Sequence, residues 1–337
     1  MKHSLKKIAA CAVTSAFLFI PATNTWAAHL SVTAHTFARR GVAEVGATSP
    51  SASLEVRARR SSATIPSTVR FQEVSGRGLL VSVWINGSGP YTFAVDTGAG
   101  ATILSARVAR EARVARSGSP SLIIGGISER GSTTGQEVSL SRIAVGDSGN
   151  LLPSSGRAVV IEELAPGLDG VLDPSEAYWP LGFEIDMPRG LMSAFDARTT
   201  PLRRTDSTAD AAVVPWLADG GTRRPFVALS GGRRALIDTG SGLGLGVTVD
   251  AAMSLGIAPG RGRSRVEQIR DLGGGTVAAH RIAPTNISIG PLVLNGIPTD
   301  LLPDASASSP IILGRDALRP FRITFDPINR LVRFIAE

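Results

Sequence analysis

From about Val69 to the C-terminus, the apolar positions fall in short runs separated by Gly-, Asn- and Pro-bearing turns, a pattern of strands rather than helices. Leu79-Leu80-Val81-Ser82-Val83-Trp84-Ile85 reads as a strand, Asn86-Gly87 as a hairpin turn, and a second strand runs up to Asp96. The pattern then recurs. Phe226-Val227-Ala228-Leu229 turns at Gly231-Gly232 and returns into Asp238. Short helices are predicted over Ser105–Ala115 and Thr248–Leu255. Each is followed by an apolar hairpin with glycines at its tip, Leu122–Ile127 in the first half and Ile269–Val277 in the second. The apolar pairs Val171-Leu172 and Ile312-Leu313 come next. The residues after them, Asp173 and Gly314, lie 77 and 76 positions beyond Asp96 and Asp238. A strand pair closes each half, Phe183–Asp186 running on to Phe195 and Phe321–Asp326 running on to Phe334. Residues 197–208 read as the link between the halves.

Both copies of the repeat carry Asp-Thr-Gly at the end of an apolar strand, at Asp96-Thr97-Gly98 and Asp238-Thr239-Gly240. A strand that stops at a carboxylate and turns on glycine presents that carboxylate at its tip. Two such tips brought together place two acids within hydrogen-bond reach. One pKa then rises and the pair shares a proton. A pair of this kind can hold a water and activate it for attack on an amide carbonyl.

The ends and the composition narrow the picture. Lys2, Lys6 and Lys7 precede the apolar run Ile8–Ile20, and Thr25-Trp26-Ala27 offers small residues for cleavage after Ala27. Residues 1–27 are therefore expected to be a secretory signal, and the product secreted or periplasmic. The run is too short to span a bilayer comfortably, so no stable membrane insertion is expected once it is removed. Residues 28–66, rich in Ala, Ser, Thr and Arg and carrying Arg39-Arg40 and Arg59-Arg60, read as a disordered leader or a pro-segment. The formal charge of +7 depends partly on the three lysines. Without them 32 Arg stand against 28 acids, scattered and with few aromatics, which argues against nucleic acid as a partner. Cys11, the single cysteine, leaves with the signal. The four histidines form no metal-binding spacing, so neither a metal nor any other cofactor is expected.

On these residues the chain resembles the pepsin- and retropepsin-like superfamily of aspartic proteases, over about residues 69–337 and in two copies. The resemblance implies an all-β, two-lobed fold, each lobe a small retropepsin-like β-barrel, with a cleft between them. The lobes fall at about residues 67–200 and 201–337. It makes Asp96 and Asp238 the catalytic pair of an aspartic endopeptidase acting on polypeptide substrates, and a monomer is expected. Thr97 and Thr239 match the threonines that interlock beneath the pair. Gly98 and Gly240 match the glycines whose amides bond the carboxylates, and Ile312-Leu313-Gly314 matches the motif that supports the active-site loop. The flap candidates are Ile124, Gly125 and Gly126 in the first half and Gly273, Gly274 and Gly275 in the second.

Some positions depart from the family pattern. Asp173 stands where a second supporting Gly is expected, and Asp tolerates a left-handed turn better than most residues. Ala99 follows the first motif, as in retropepsins. Ser241 follows the second, and a hydroxyl there is expected to donate to Asp238 and favour its ionised form. The pepsin flap tyrosine is absent, since the only tyrosines are Tyr91 and Tyr178.

Other readings are weaker. Gly240–Gly246 has the look of a nucleotide loop but lacks a P-loop lysine, and no Gly-x-Ser-x-Gly elbow follows a strand. The alternative that keeps the fold is a catalytically weak or inactive module that binds peptides or inhibits other enzymes.

Overall fold

The structure, a computed structural model, describes residues 12–14, 19–20, 64–124, 127, 133–153, 156–208, 210–258, 266–271, 276–306 and 308–337. Residues 22–63, with the predicted cleavage site and both Arg pairs of the leader, lie outside the described residues. Two short strands from the N-terminal segment, Ala12–Thr14 and Phe19–Ile20, pair with Ile269–Asp271 and with Ile123–Ile124.

The two halves repeat one topology. In the first, the order across the sheet runs Ser88–Val95, Gly170–Leu172, Thr102–Ser105, Arg157–Ile161, Thr133–Ser139, Ala115–Ile124. In the second it runs Arg234–Asp238, Ile311–Gly314, Leu245–Val247, Leu292–Leu301, Thr276–Ile289, Val266–Asp271. The pairings agree in direction as well as order. The strand ending at each Asp-Thr-Gly runs parallel to the apolar pair, with Val95 opposite Leu172 and Ile237 opposite Leu313. Each of these sheets runs from one edge strand to another, so the lobes are open sheets where closed barrels were expected.

Local chemistry explains the turns. Asn86 and Gly87 both have positive φ, 51° and 88°, as a two-residue hairpin turn requires. The Asn86 side chain also accepts from the Ser141 and Arg142 amides and donates to the Ala112 carbonyl, tying the turn down. The first helix is shorter than predicted. It spans Ala106–Glu111, capped by Ser105, and stops because Arg113 turns to φ 50° and the chain leaves as a strand at Ala115. The second, Val249–Ser254, is capped by Thr248.

A third sheet joins the halves. Its six strands run Ala211–Pro215, Leu331–Ala336, Phe321–Asp326, Gly182–Asp186, Leu191–Phe195 and Val69–Arg70. The two closing hairpins meet at its centre, with Phe183 opposite Phe325 and Ile185 opposite Ile323. The Phe183 and Phe325 rings stack with centroids 4.6 Å apart. One continuous core reaches from Phe93 and Leu172 through Phe183 and Phe325 to Val227 and Ile237. No helix among the described residues is long and apolar enough to cross a membrane.

Candidate active site

Asp96 and Asp238 end equivalent strands and are both fully buried, 1% and 0% exposed. The residues that bring them together are Thr97 and Thr239. The Thr97 amide donates to Thr239 Oγ1 at 3.1 Å, and the Thr239 amide donates to Thr97 Oγ1 at 3.1 Å. Each hydroxyl then donates across to the other half, Thr97 Oγ1 to the Ile237 carbonyl at 2.6 Å and Thr239 Oγ1 to the Val95 carbonyl at 3.1 Å. Four buried hydrogen bonds thus cross between the halves directly beneath the two carboxyls. The carboxyls lie close enough to share a hydrogen bond.

Each carboxyl has a backbone donor. The Gly98 amide donates to Asp96 Oδ1 at 2.7 Å, and the Ser241 amide donates to Asp238 Oδ1 at 2.9 Å. In the second half the donor is therefore Ser241 and not Gly240, as the sequence had suggested. The role of Gly240 is space: a Cβ there would lie 2.4 Å from Cγ of Asp96. Gly314 is fixed by the same kind of constraint. Its φ of −98° suits any residue, but a Cβ would meet the Leu243 carbonyl oxygen at 2.5 Å and the Ser241 carbonyl oxygen at 3.0 Å. From that close approach the Gly314 and Arg315 amides bond the Gly244 and Ser241 carbonyls and hold the second active-site loop.

Several groups act on the ionisation of Asp238. The Ser241 hydroxyl accepts from the Leu243 amide at 3.2 Å. Its backbone amide supports Asp238, offset by larger opposing effects. Burial, and then the charge of Asp96, push the Asp238 carboxyl well above the usual range, against the Ser241 amide and the Arg315 charge. Two buried carboxyls this close favour holding one proton between them.

Asp173 also departs from expectation. Its backbone is extended, φ −85° and ψ 107°, rather than left-handed. Its side chain caps the helical turn Pro174–Ala177 by accepting from the Ser175 amide at 2.8 Å. It is completely buried.

Of the flap candidates, Ile124 is buried against Ile103, Val159 and Ile161. The hairpin arms form in both halves, but Gly125, Gly126, Gly273, Gly274 and Gly275 lie outside the described residues. Ile127, beside the first tip, reaches into the other half. It is buried with Leu243, Leu302 and Ile312, and its carbonyl accepts from the Ser306 amide at 3.1 Å and the Ser309 hydroxyl at 3.0 Å. A cavity of about 650 Å³ opens beside the first active-site loop, lined by Gly100, Thr102, Trp179, Arg223 and Arg224 among others.

Sequence reasoning missed Arg315. It is 4% exposed, and its guanidinium donates to the Thr239 and Gly240 carbonyls at 2.8 and 2.7 Å. Glu73, 3.4 Å away, balances its charge. The signal was a cation directly after Ile312-Leu313-Gly314, a run otherwise destined for the core. Among the described residues no cluster of His, Cys, Asp and Glu could hold a metal ion.

A family model for aspartyl proteases matches residues 81–172, which contain Asp96 and the apolar pair Val171-Leu172. Among solved structures, the aspartic proteinase from Irpex lacteus is similar with a TM-score of 0.52 at 14% identity, over 80% of this chain and 97% of that one. The first half is thus similar to aspartyl proteases in sequence, and the chain is similar to an aspartic proteinase in fold. The solved structure carries the likeness in fold across both halves, whereas the family match covers the first half alone. Comparison with curated proteins returned no match.

Proposed function

We propose that the chain is an aspartic endopeptidase whose dyad is Asp96 and Asp238. The observation that carries this reading is the reciprocal Thr97–Thr239 bonding, which joins two buried carboxyls, one from each half, at a single point. In this reading Asp238 holds the shared proton and Asp96 is the base. A water between them attacks the scissile carbonyl carbon. Its proton passes to Asp96, and the Asp238 proton passes to the carbonyl oxygen, giving a neutral tetrahedral diol. As the C–N bond breaks, Asp96 returns its proton to the leaving nitrogen and one diol hydroxyl returns its proton to Asp238. The products are an acid and an amine, and the pair is again singly protonated. No charged intermediate forms in the site, which suits carboxyls so deeply buried.

The substrate is an extended polypeptide lying in the cleft between the lobes, covered by the hairpin that carries Ile127. The N-terminal signal pattern supports export, to the periplasm or outside the cell. The full chain, incubated with a denatured-protein peptide library from pH 3 to 8, is expected to cleave internal bonds. Asp96→Asn and Asp238→Asn should each abolish cleavage while leaving the circular dichroism spectrum unchanged. Wild-type activity in either variant would refute the assignment.

A further inference from the structure

The strand register that brings Asp238 opposite Gly314 has a counterpart in the first half. Val95 pairs with Leu172 in parallel strands, so the next positions along, Asp96 and Asp173, lie side by side. The Asp96 amide donates to the Leu172 carbonyl at 2.9 Å, joining the two loops by one bond. The second half has no room for a side chain at this point. The first half carries a carboxyl that is 0% exposed. Its Oδ1 accepts from the Ser175 amide at 2.8 Å, whereas its Oδ2 is buried without a hydrogen-bond partner. A helix cap needs one oxygen and no charge, and Asn or Ser would serve as well. A buried acid with an unsatisfied oxygen beside the dyad is therefore more than a cap.

We propose that Asp173 is a positioning residue for the dyad: acting through Asp96, its carboxyl controls how tightly the pair holds its shared proton. The inference rests on the protease reading for its consequence but not for its test. Two charged groups, Glu176 and Asp96, act on Asp173, and two cations, Arg223 and Arg315, act on those neighbours. Asp96 ends the neighbouring strand, and Glu176 lies on the helical turn that Asp173 caps. Arg223, on the Thr222–Ala228 strand of the second half, pairs with Glu176. Arg315, on the Arg315–Leu318 turn, acts on both dyad carboxyls. Burial, then Glu176, then Asp96 raise Asp173 well above the usual carboxylate range, against the Ser175 amide. At acid pH Asp173 is neutral, and Asp96 is free to be the anion. As pH climbs Asp173 ionises, and a second anion beside Asp96 makes the pair hold its remaining proton more firmly. The singly protonated, active form then persists toward neutral pH.

Asp173→Asn separates the charge from the cap, because the amide oxygen still accepts from Ser175. The dyad is followed by NMR titration of aspartate carboxyl carbons in the full chain, a readout independent of turnover, and the pH dependence of kcat/KM is measured alongside. The dyad should lose its shared proton at lower pH in the variant, by on the order of one pH unit. The alkaline limb of the activity profile should move with it, lowering activity about tenfold one unit above the wild-type midpoint. A dyad titration that superimposes on wild type overturns the proposal. If Asn impairs folding, Asp173→Gly, the residue present at Gly314, carries the same prediction. A wild-type chain that cleaves nothing at any pH would refute the protease reading, and the carboxyl titration would still decide the role of Asp173.

Discussion

A methyl group on Gly240 would lie 2.4 Å from Cγ and Oδ2 of Asp96, closer than any real contact. Neither group can yield cheaply, since both sit on loops held by the Thr97–Thr239 bonds. Gly240→Ala should therefore fold, displace the Asp96 carboxyl and lower kcat/KM by about a hundredfold. Retention of full activity would mean that the carboxyls do not need this closeness. The same density governs pH. Asp173 and Asp238 both have raised carboxyls. Each therefore contributes stability that is fully present below the ordinary aspartate value, about 3.9, and lost as pH rises through the raised folded value. Asp173→Asn removes one such loss. In urea denaturation it should match wild type near pH 3 and exceed it near pH 7. At this scale the sequence revealed the acids and threonines, because Asp-Thr-Gly needs only local order to be recognised. It did not reveal that Ser241 rather than Gly240 supplies the second amide. Nor did it reveal how strongly burial raises Asp238, because both depend on desolvation and on partners from distant segments such as Arg315.

Among the elements, the hairpins were legible because their glycines and apolar arms lie close together in sequence. Their destination was not. Ile127 belongs to the first half yet packs with Leu243, Leu302 and Ile312 of the second, and two donors from Ser306 and Ser309 fix its carbonyl. In the proposed protease this contact is expected to release when a peptide enters. Ile127→Ala should lower kcat/KM by about tenfold, roughly 1.4 kcal/mol, chiefly through KM. An unchanged KM would show that this contact does not govern substrate capture. The first helix was overextended for a plain reason. Residues up to Ala115 suit a helix, but Arg113 adopts φ 50° so that the following strand can enter its sheet. Tertiary pairing outweighed local propensity there.

At the scale of the molecule, the repeat found in the sequence reappears as two sheets of the same strand order, and the closing strand pairs build the sheet that joins them. That sheet could not be read from one chain, since nothing local to Phe183 points to a partner 142 residues away at Phe325. Its contribution is shared stability: Phe183 and Phe325 stack within a core that runs through both halves. Buried Asp326 ties the linker to the same sheet by accepting from the Leu202 amide at 2.9 Å. Phe325→Ala should cost about 3–5 kcal/mol and lower the stability of both halves together, in one transition seen alike by circular dichroism and tryptophan fluorescence. Two separated transitions would show halves that fold independently. The central claim is that two carboxyls, one from each half, act as a single unit. The most direct test is kcat/KM for wild type, Asp96→Asn, Asp238→Asn and the double variant on one peptide substrate. Each single variant should be as inactive as the double, because a shared proton needs both holders. Losses that simply add, or a single variant retaining most of the activity, would contradict it.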